Sequence, residues 1–240
     1  MNDMMKNDPL LRRFADADTM IRTLADEIVV NLNADITARG AASFVASGGT
    51  TPGPLFDLLS KRDLAWDKVW VTLSDERWIA PTEDGSNENL IRTRLLRNKA
   101  ATAHLVAMKT DDASPNDGEA KVGAALTAMR RPFTVTLLGM GDDGHTASLF
   151  PHAQGLETAL DVNNPALARA VHTHDVATTG ERMTLTLRAI LDSKLIVILI
   201  KGDTKMDAYR NALSGTDVAA APVRAVLQQS KTPVQVFWAP

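Results

Sequence analysis

The chain has 240 residues, 45% of them hydrophobic, and 26 basic against 29 acidic side chains leave a formal net charge of −3. That length allows one large domain with an ample core, and the mild acidity excludes a general electrostatic pull toward nucleic acid or an anionic membrane. The absence of cysteine excludes disulfides, thiolate nucleophiles and cysteine-based zinc sites, and fits a reducing compartment.

The opening segment MNDMMKNDPLLRRFADAD is charged throughout and has no apolar stretch of a secretory signal, so a cytoplasmic protein is expected. Leu10, Leu11, Phe14, Ile21, Leu24, Ile28 and Val29 recur at spacings near three and four, which predicts an amphipathic helix over 10–32. ASFVA (42–46) reads as a strand that stops at Ser47-Gly48-Gly49, and Pro52 opens a helix through LFDLL. VWVTL (69–73) is a second strand, ending at Ser74-Asp75. A helix over 87–97, a strand at HLVAM (104–108), a polar surface loop at 110–119 and a helix over 117–130 follow. FTVTLL (133–138) is a strand that runs directly into Gly139-Met140-Gly141. MTLTL (183–187) alternates, as a strand with one wet face would. LIVILI (195–200) is continuously apolar, as expected of a strand buried on both faces, and far short of the ~20 residues a membrane span needs. Helices over 203–213 and 222–229 and a final strand at VQVFW (234–238) complete the pattern. Alternating strands and helices predict an α/β fold with a largely parallel sheet. No repeat or Gly/Ser linker divides the chain, so residues 1–240 are expected to form a single domain.

In such sheets ligands bind beyond the carboxyl ends of the strands. The loops at those ends are Ser47–Pro52, Ser74–Trp78, Gly139–Thr146 and Lys201–Lys205, and they hold the chain's glycine-rich and polar motifs. In the first, Gly48 and Gly49 let backbone approach a ligand, and Thr50 and Thr51 add hydroxyls beside a helix start, which suits a phosphate as well as a capped turn. GMGDDG matches the G-x-G-x-x-G pattern of dinucleotide sites, but Asp142 and Asp143 stand where a pyrophosphate needs positive potential. His145 is the more informative residue. A neighbouring carboxylate can fix its tautomer and stabilise its charged form, which makes a competent general base. The residue types leave open which aspartate does so. Arg77, Arg182 and Lys205 matter as cations able to converge on one anion. His172 and His174 have no third ligand near them, His104 begins a strand and His152 lies in a loop, so no metal site is expected.

Taken together, SGGTTP, SDERW, Ser86-Asn87, LGMGDDGHTASLFP, ERMTLTL and GDTK resemble the 6-phosphogluconolactonases, in the same order and over nearly the whole chain. The wider superfamily includes glucosamine-6-phosphate deaminase. The resemblance implies a three-layer α/β/α sandwich of modified Rossmann type, with a mostly parallel sheet. It implies hydrolysis of 6-phospho-D-glucono-1,5-lactone to 6-phosphogluconate, in the pentose phosphate or Entner–Doudoroff route, without a cofactor. By position His145 matches the general base, with Asp143 to orient it, and Arg77 matches an active-site arginine. Gly48, Gly49, Thr50, Thr51, Arg182 and Lys205 match the phosphate-binding residues, and Asp75 is counted with the substrate-binding set. The expected partner is a small sugar phosphate rather than nucleic acid or membrane, for a monomer or small homo-oligomer. The deaminases follow their Gly-His pair with a phenylalanine–asparagine–glutamate–proline stretch, whereas Thr146-Ala147-Ser148-Leu149-Phe150-Pro151 stands here, without the glutamate. A deaminase-like isomerase and a non-catalytic sugar-phosphate sensor are the alternatives.

Overall fold

A short strand, β1 (Leu11–Arg13), occupies the start of the segment expected to be helical, and the helix α1 runs over Ala17–Arg39 instead. The computed structural model describes residues 8–173 and 179–240; His174 lies outside them. A local cap and a long-range ring contact account for the shifted helix. Asp16 accepts a hydrogen bond from the Thr19 N–H (2.7 Å) and caps it, while Phe14 stacks on Phe237 with ring centroids 5.3 Å apart. Its buried stripe then continues through Leu32 to Asp35, so polar composition hides the final turns.

β2 (Ala42–Ala46) leads through the glycine loop to α2 (Gly53–Leu59), and β3 (Val69–Leu73) runs almost directly into β4 (Asp75–Arg77). α3 (Asn87–Arg94), β5 (His104–Leu105), α4 (Pro115–Thr127) and β6 (Val135–Leu138) follow. The strand expected over 104–108 thus pairs for only two residues, at the sheet edge. The loop expected over 110–119 gives way midway to α4, capped by Ser114 with Pro115 in its first turn. The second half contains α5 (Leu156–Leu160), β7 (Ala168–His172), β8 (Glu181–Leu185), α6 (Leu187–Leu191), β9 (Ile196–Lys201), α7 (Asp203–Ser214), α8 (Arg224–Leu227) and β10 (Val234–Ala239).

Seven strands form one sheet in the order β1-β10-β9-β6-β2-β3-β5, all paired in parallel, with helices packed on both faces. This is the expected α/β/α Rossmann-like architecture. The order reverses between β2 and β6, and the chain leaves these two strands in opposite directions. Such a switch opens a crevice beyond their carboxyl ends. Loops 47–52 and 139–145 flank it, with the ends of β3 and β9 beside them.

β4, β8 and β7 form a separate antiparallel sheet. The expected wet face of MTLTL is absent, because Thr184 and Thr186 are both fully buried. Thr184 receives the Ser148 N–H (3.3 Å) and Thr186 ends the strand by capping α6. Alternation here records buried, hydrogen-bonded threonines rather than solvent. Among the described residues no helix is long and apolar enough to cross a membrane.

At the opposite end of the main sheet from the crevice, buried Asp35 ties α1 to the segments that enter β6 and β9. It pairs with Arg39 and Lys194 and accepts a hydrogen bond from Thr134. Burial raises its carboxyl, but these donors outweigh burial and hold it below its ordinary value of 3.8. Asp35→Ala should therefore lower unfolding free energy by about 2 kcal/mol in a denaturant titration, the scale of charged hydrogen bonds. Because the folded carboxyl is depressed, its contribution is complete above about pH 3.8 and is lost as pH falls toward the folded value. Acid unfolding of Asp35→Asn should lack that component, whereas an unchanged acid limb would contradict it.

Candidate active site

Every residue expected at the site lines one cavity of about 680 Å³ in the crevice: Gly48, Gly49, Thr50 and Thr51 from the loop after β2, Asp75 and Arg77 on β4, Asp143 and His145 after β6, Arg182 on β8 and Lys205 on α7. Asp142 and Phe150 also face it, as does Asn87, which the sequence marks only as part of the Ser86-Asn87 pair.

After β6 the chain makes tight turns rather than a helix. The Gly141 N–H donates to the His145 carbonyl (2.8 Å) and the Gly144 N–H to the Gly141 carbonyl (3.1 Å). Asp143 Oδ1 then accepts the backbone N–H of His145 at 3.0 Å and lies 2.6 Å from its Nδ1. A Cβ on Gly141 would stand 2.1 Å from that Nδ1 and 2.4 Å from Asp143 Oδ1, so only glycine leaves room for the pair. A dinucleotide fingerprint needs a helix springing from its glycine turn. Here the next helix, α5, starts only at Leu156.

Burial raises the Asp143 carboxyl, but the side-chain and backbone hydrogen bonds from His145 outweigh it and leave Asp143 below its ordinary value. An ionised Asp143 only accepts, which assigns the proton to Nδ1 and leaves Nε2 with an unprotonated lone pair. The Phe150 ring lies 4.3 Å from the imidazole, centroid to centroid, and restricts it from the side. Ala147, at φ 50°, adopts the left-handed conformation that non-glycine residues rarely take. The turn it makes brings Ser148 Oγ to Asp75 Oδ2 at 2.6 Å. Asp142 turns the other way and pairs with Lys205 Nζ at 2.9 Å.

The opposite wall is cationic. β4 and β8 pair so that Arg77 stands directly across from Arg182. Like charges in such a pair repel. Burial, and then the Arg77 charge, push the Arg182 guanidinium below its ordinary value, against the pull of Asp75 and Glu76; an arginine remains charged at neutral pH all the same. Behind them Glu76 is fully buried. It accepts the N–H groups of Arg77 (2.7 Å), Asn87 (2.8 Å) and Glu88 (2.7 Å) and the Ser86 hydroxyl (3.0 Å). Burial pushes its carboxyl above the usual range despite these four donors. Arg77 Nη1 reaches the Gly85 carbonyl at 2.6 Å and Asn87 Oδ1 at 2.7 Å, and Asn87 Nδ2 donates to the Asp75 carbonyl at 2.7 Å.

Two of the other histidines have local partners. His104 Nε2 contacts the Asp67 carbonyl (2.8 Å) and its ring stacks on Trp70, while His172 Nε2 contacts Asn116 Oδ1 (2.8 Å). Among the described residues no group of three or more His, Asp or Glu side chains is arranged to hold a metal.

Residues 15–238 match the family model described as glucosamine-6-phosphate isomerases/6-phosphogluconolactonase. The 6-phosphogluconolactonase of Rhizobium meliloti (strain 1021) is 39% identical over 228 residues, covering 95% of this chain and 97% of the relative. That of Mesorhizobium japonicum is 40% identical, over 95% of this chain and 94% of its own. The crystal structure of a 6-phosphogluconolactonase from Shewanella baltica OS155 superposes with a TM-score of 0.92 at 41% identity, covering 96% of this chain and 97% of that one. A monomeric glucosamine-6-phosphate deaminase shares the fold at a TM-score of 0.75 and 15% identity, over 95% and 96% of the two chains.

Nitrogen-15 NMR of labelled histidine tests the imidazole geometry. His145 should show the tautomer with its proton on Nδ1. Gly141→Ala, which forces the ring from Asp143, should convert it to a mixture. A wild-type ring protonated on Nε2 would contradict the assignment.

Proposed function

The chain belongs to the family of glucosamine-6-phosphate isomerases and 6-phosphogluconolactonases, and from that premise we propose that it hydrolyses 6-phospho-D-glucono-1,5-lactone to 6-phosphogluconate, with His145 as the base. The observation that carries the reading is the 2.6 Å contact between Asp143 and His145 Nδ1 in the same cavity as Arg77, Arg182 and Lys205.

Nε2 of neutral His145 takes a proton from water as the oxygen attacks C1. The carbonyl electrons move onto oxygen, and the tetrahedral oxyanion is stabilised by the Arg77 guanidinium, which lines the same cavity. Collapse breaks the bond from C1 to the ring oxygen, and the imidazolium returns its proton to that oxygen. Asp143 stays ionised throughout and holds the ring. The glycine loop with Thr50 and Thr51, together with Arg182 and Lys205, binds the phosphate. Attraction to this distant dianion fixes C1 against the base, so remote binding energy assists the reaction. Asp75, held by the Ser74 and Ser148 hydroxyls, keeps acceptor capacity for a sugar hydroxyl. The stretch from Thr146 to Pro151 carries no carboxylate for the proton transfers of a deaminase, which favours the lactonase within the family.

A coupled assay on freshly made lactone, with a blank for spontaneous hydrolysis, tests the reading. Turnover is expected, and ammonia release from glucosamine 6-phosphate in its place would overturn it. Binding of 6-phosphogluconate without turnover would mark a sensor. His145→Ala should lower kcat by ~10²–10⁴ with little change in KM, and turnover like the wild type would remove His145 from the mechanism. Arg182→Ala and Lys205→Ala should mainly raise KM. kcat/KM should fall toward acid pH, because a protonated imidazole has no lone pair with which to take a proton from water. A flat profile from pH 5 to 8 would argue against a histidine base.

A further inference from the structure

We infer that Asn87 is the positioning residue for Arg77, acting on the reaction through the guanidinium rather than by touching substrate. The inference rests on the lactonase reading, in which Arg77 faces the oxyanion.

The need for a tether comes from the register of the small sheet. Arg77 stands opposite Arg182, and repulsion between them favours an Arg77 side chain that swings out to solvent. Two acceptors oppose this. Nη1 donates to both the Gly85 carbonyl and Asn87 Oδ1, which fixes the guanidinium in place and in plane. Only the Asn87 contact comes from a side chain.

Asn87 is itself held on every side. It is 2% exposed, and its N–H donates to Glu76 Oε1. Its Nδ2 donates to the Asp75 carbonyl, so a flipped amide would set a donor against Arg77 and an acceptor against a carbonyl. The glycine loop closes the last side. A Cβ on Gly48 would stand 2.0 Å from Asn87 Oδ1. Gly48 therefore serves a second purpose beside any approach to phosphate, since it leaves space for the amide that holds Arg77. Residues from β4, α3 and the loop after β2 thereby set the position of one cation.

A double-mutant cycle on the full chain, with freshly made 6-phosphogluconolactone as substrate, tests this. Asn87→Ala should lower kcat by about 10–10²-fold with KM nearly unchanged, the scale of a misplaced catalytic group. Added to Arg77→Ala, it should cost no more than a further factor of about two. Guanidinium ion in the buffer should restore part of the Arg77→Ala rate when Asn87 is present and not when it is replaced. Gly48→Ala keeps every donor and acceptor of Asn87 but displaces its amide, so it should show the same kcat loss and the same non-additivity with Arg77→Ala, even if Asn87→Ala folds poorly. Multiplicative losses, with Asn87→Ala lowering the Arg77→Ala rate by its full factor, would overturn the inference while leaving the lactonase reading intact. A wild-type protein that does not turn over the lactone would overturn the reading itself, and the inference with it.

Discussion

Glu76 keeps its carboxylate where no solvent reaches, and four donors from the chain around it take the place of water. Three of those donors are backbone N–H groups, so the contact ties β4 to the first turn of α3. A buried carboxyl in an apolar setting avoids its charge, and burial does push Glu76 up. The donors make the site tolerable, and through the N–H groups of Arg77 and Asn87 the same carboxyl fixes the backbone on which the cavity wall is built. Arg182 is drawn toward its charged form by Asp75 and Glu76 while burial and Arg77 oppose it. The backbone behind the cationic wall is thus held by a buried carboxyl that does not line the cavity.

The two aspartates after β6 divide the work on the other side. Asp143 faces the imidazole and Asp142 faces Lys205. Successive residues point apart because the chain turns sharply between Gly141 and Gly144. In the proposed reaction, Asp143 serves the histidine that moves the proton and Asp142 lies against a lysine of the proposed phosphate site. A phosphate approaching Lys205 competes with Asp142, an exposed ion pair of small worth.

Strands with continuous apolar runs were legible in the sequence. ASFVA, VWVTL and LIVILI became β2, β3 and β9 because strands buried on both faces have little room for polar residues. The small sheet was not legible. β4 reads Asp-Glu-Arg and β7 is interrupted by Arg169 and His172, so neither looks apolar; each is a strand because β8 lies between them. α1 starts later than the spacing predicts because Leu11 and Phe14 imitate a helical pattern while packing at a sheet edge. The crevice was legible through a topological rule, since glycine and polar residues gather at strand ends. The choice between Asp142 and Asp143 depended on backbone turns that composition does not encode. Asn87 went unassigned for a related reason. Its contacts join segments distant in the chain, Gly48 on one side and Arg77 on the other, and no local pattern announces them.

The proposed reaction requires the substrate to lie in one direction in the cavity. A crystal structure with 6-phosphogluconate, the proposed product, tests this most directly. The account predicts the phosphate against the glycine loop with Arg182 and Lys205, and the C1 carboxylate within about 3 Å of His145 Nε2. A product bound in reverse, with its phosphate beside His145 and C1 at Lys205, would contradict it.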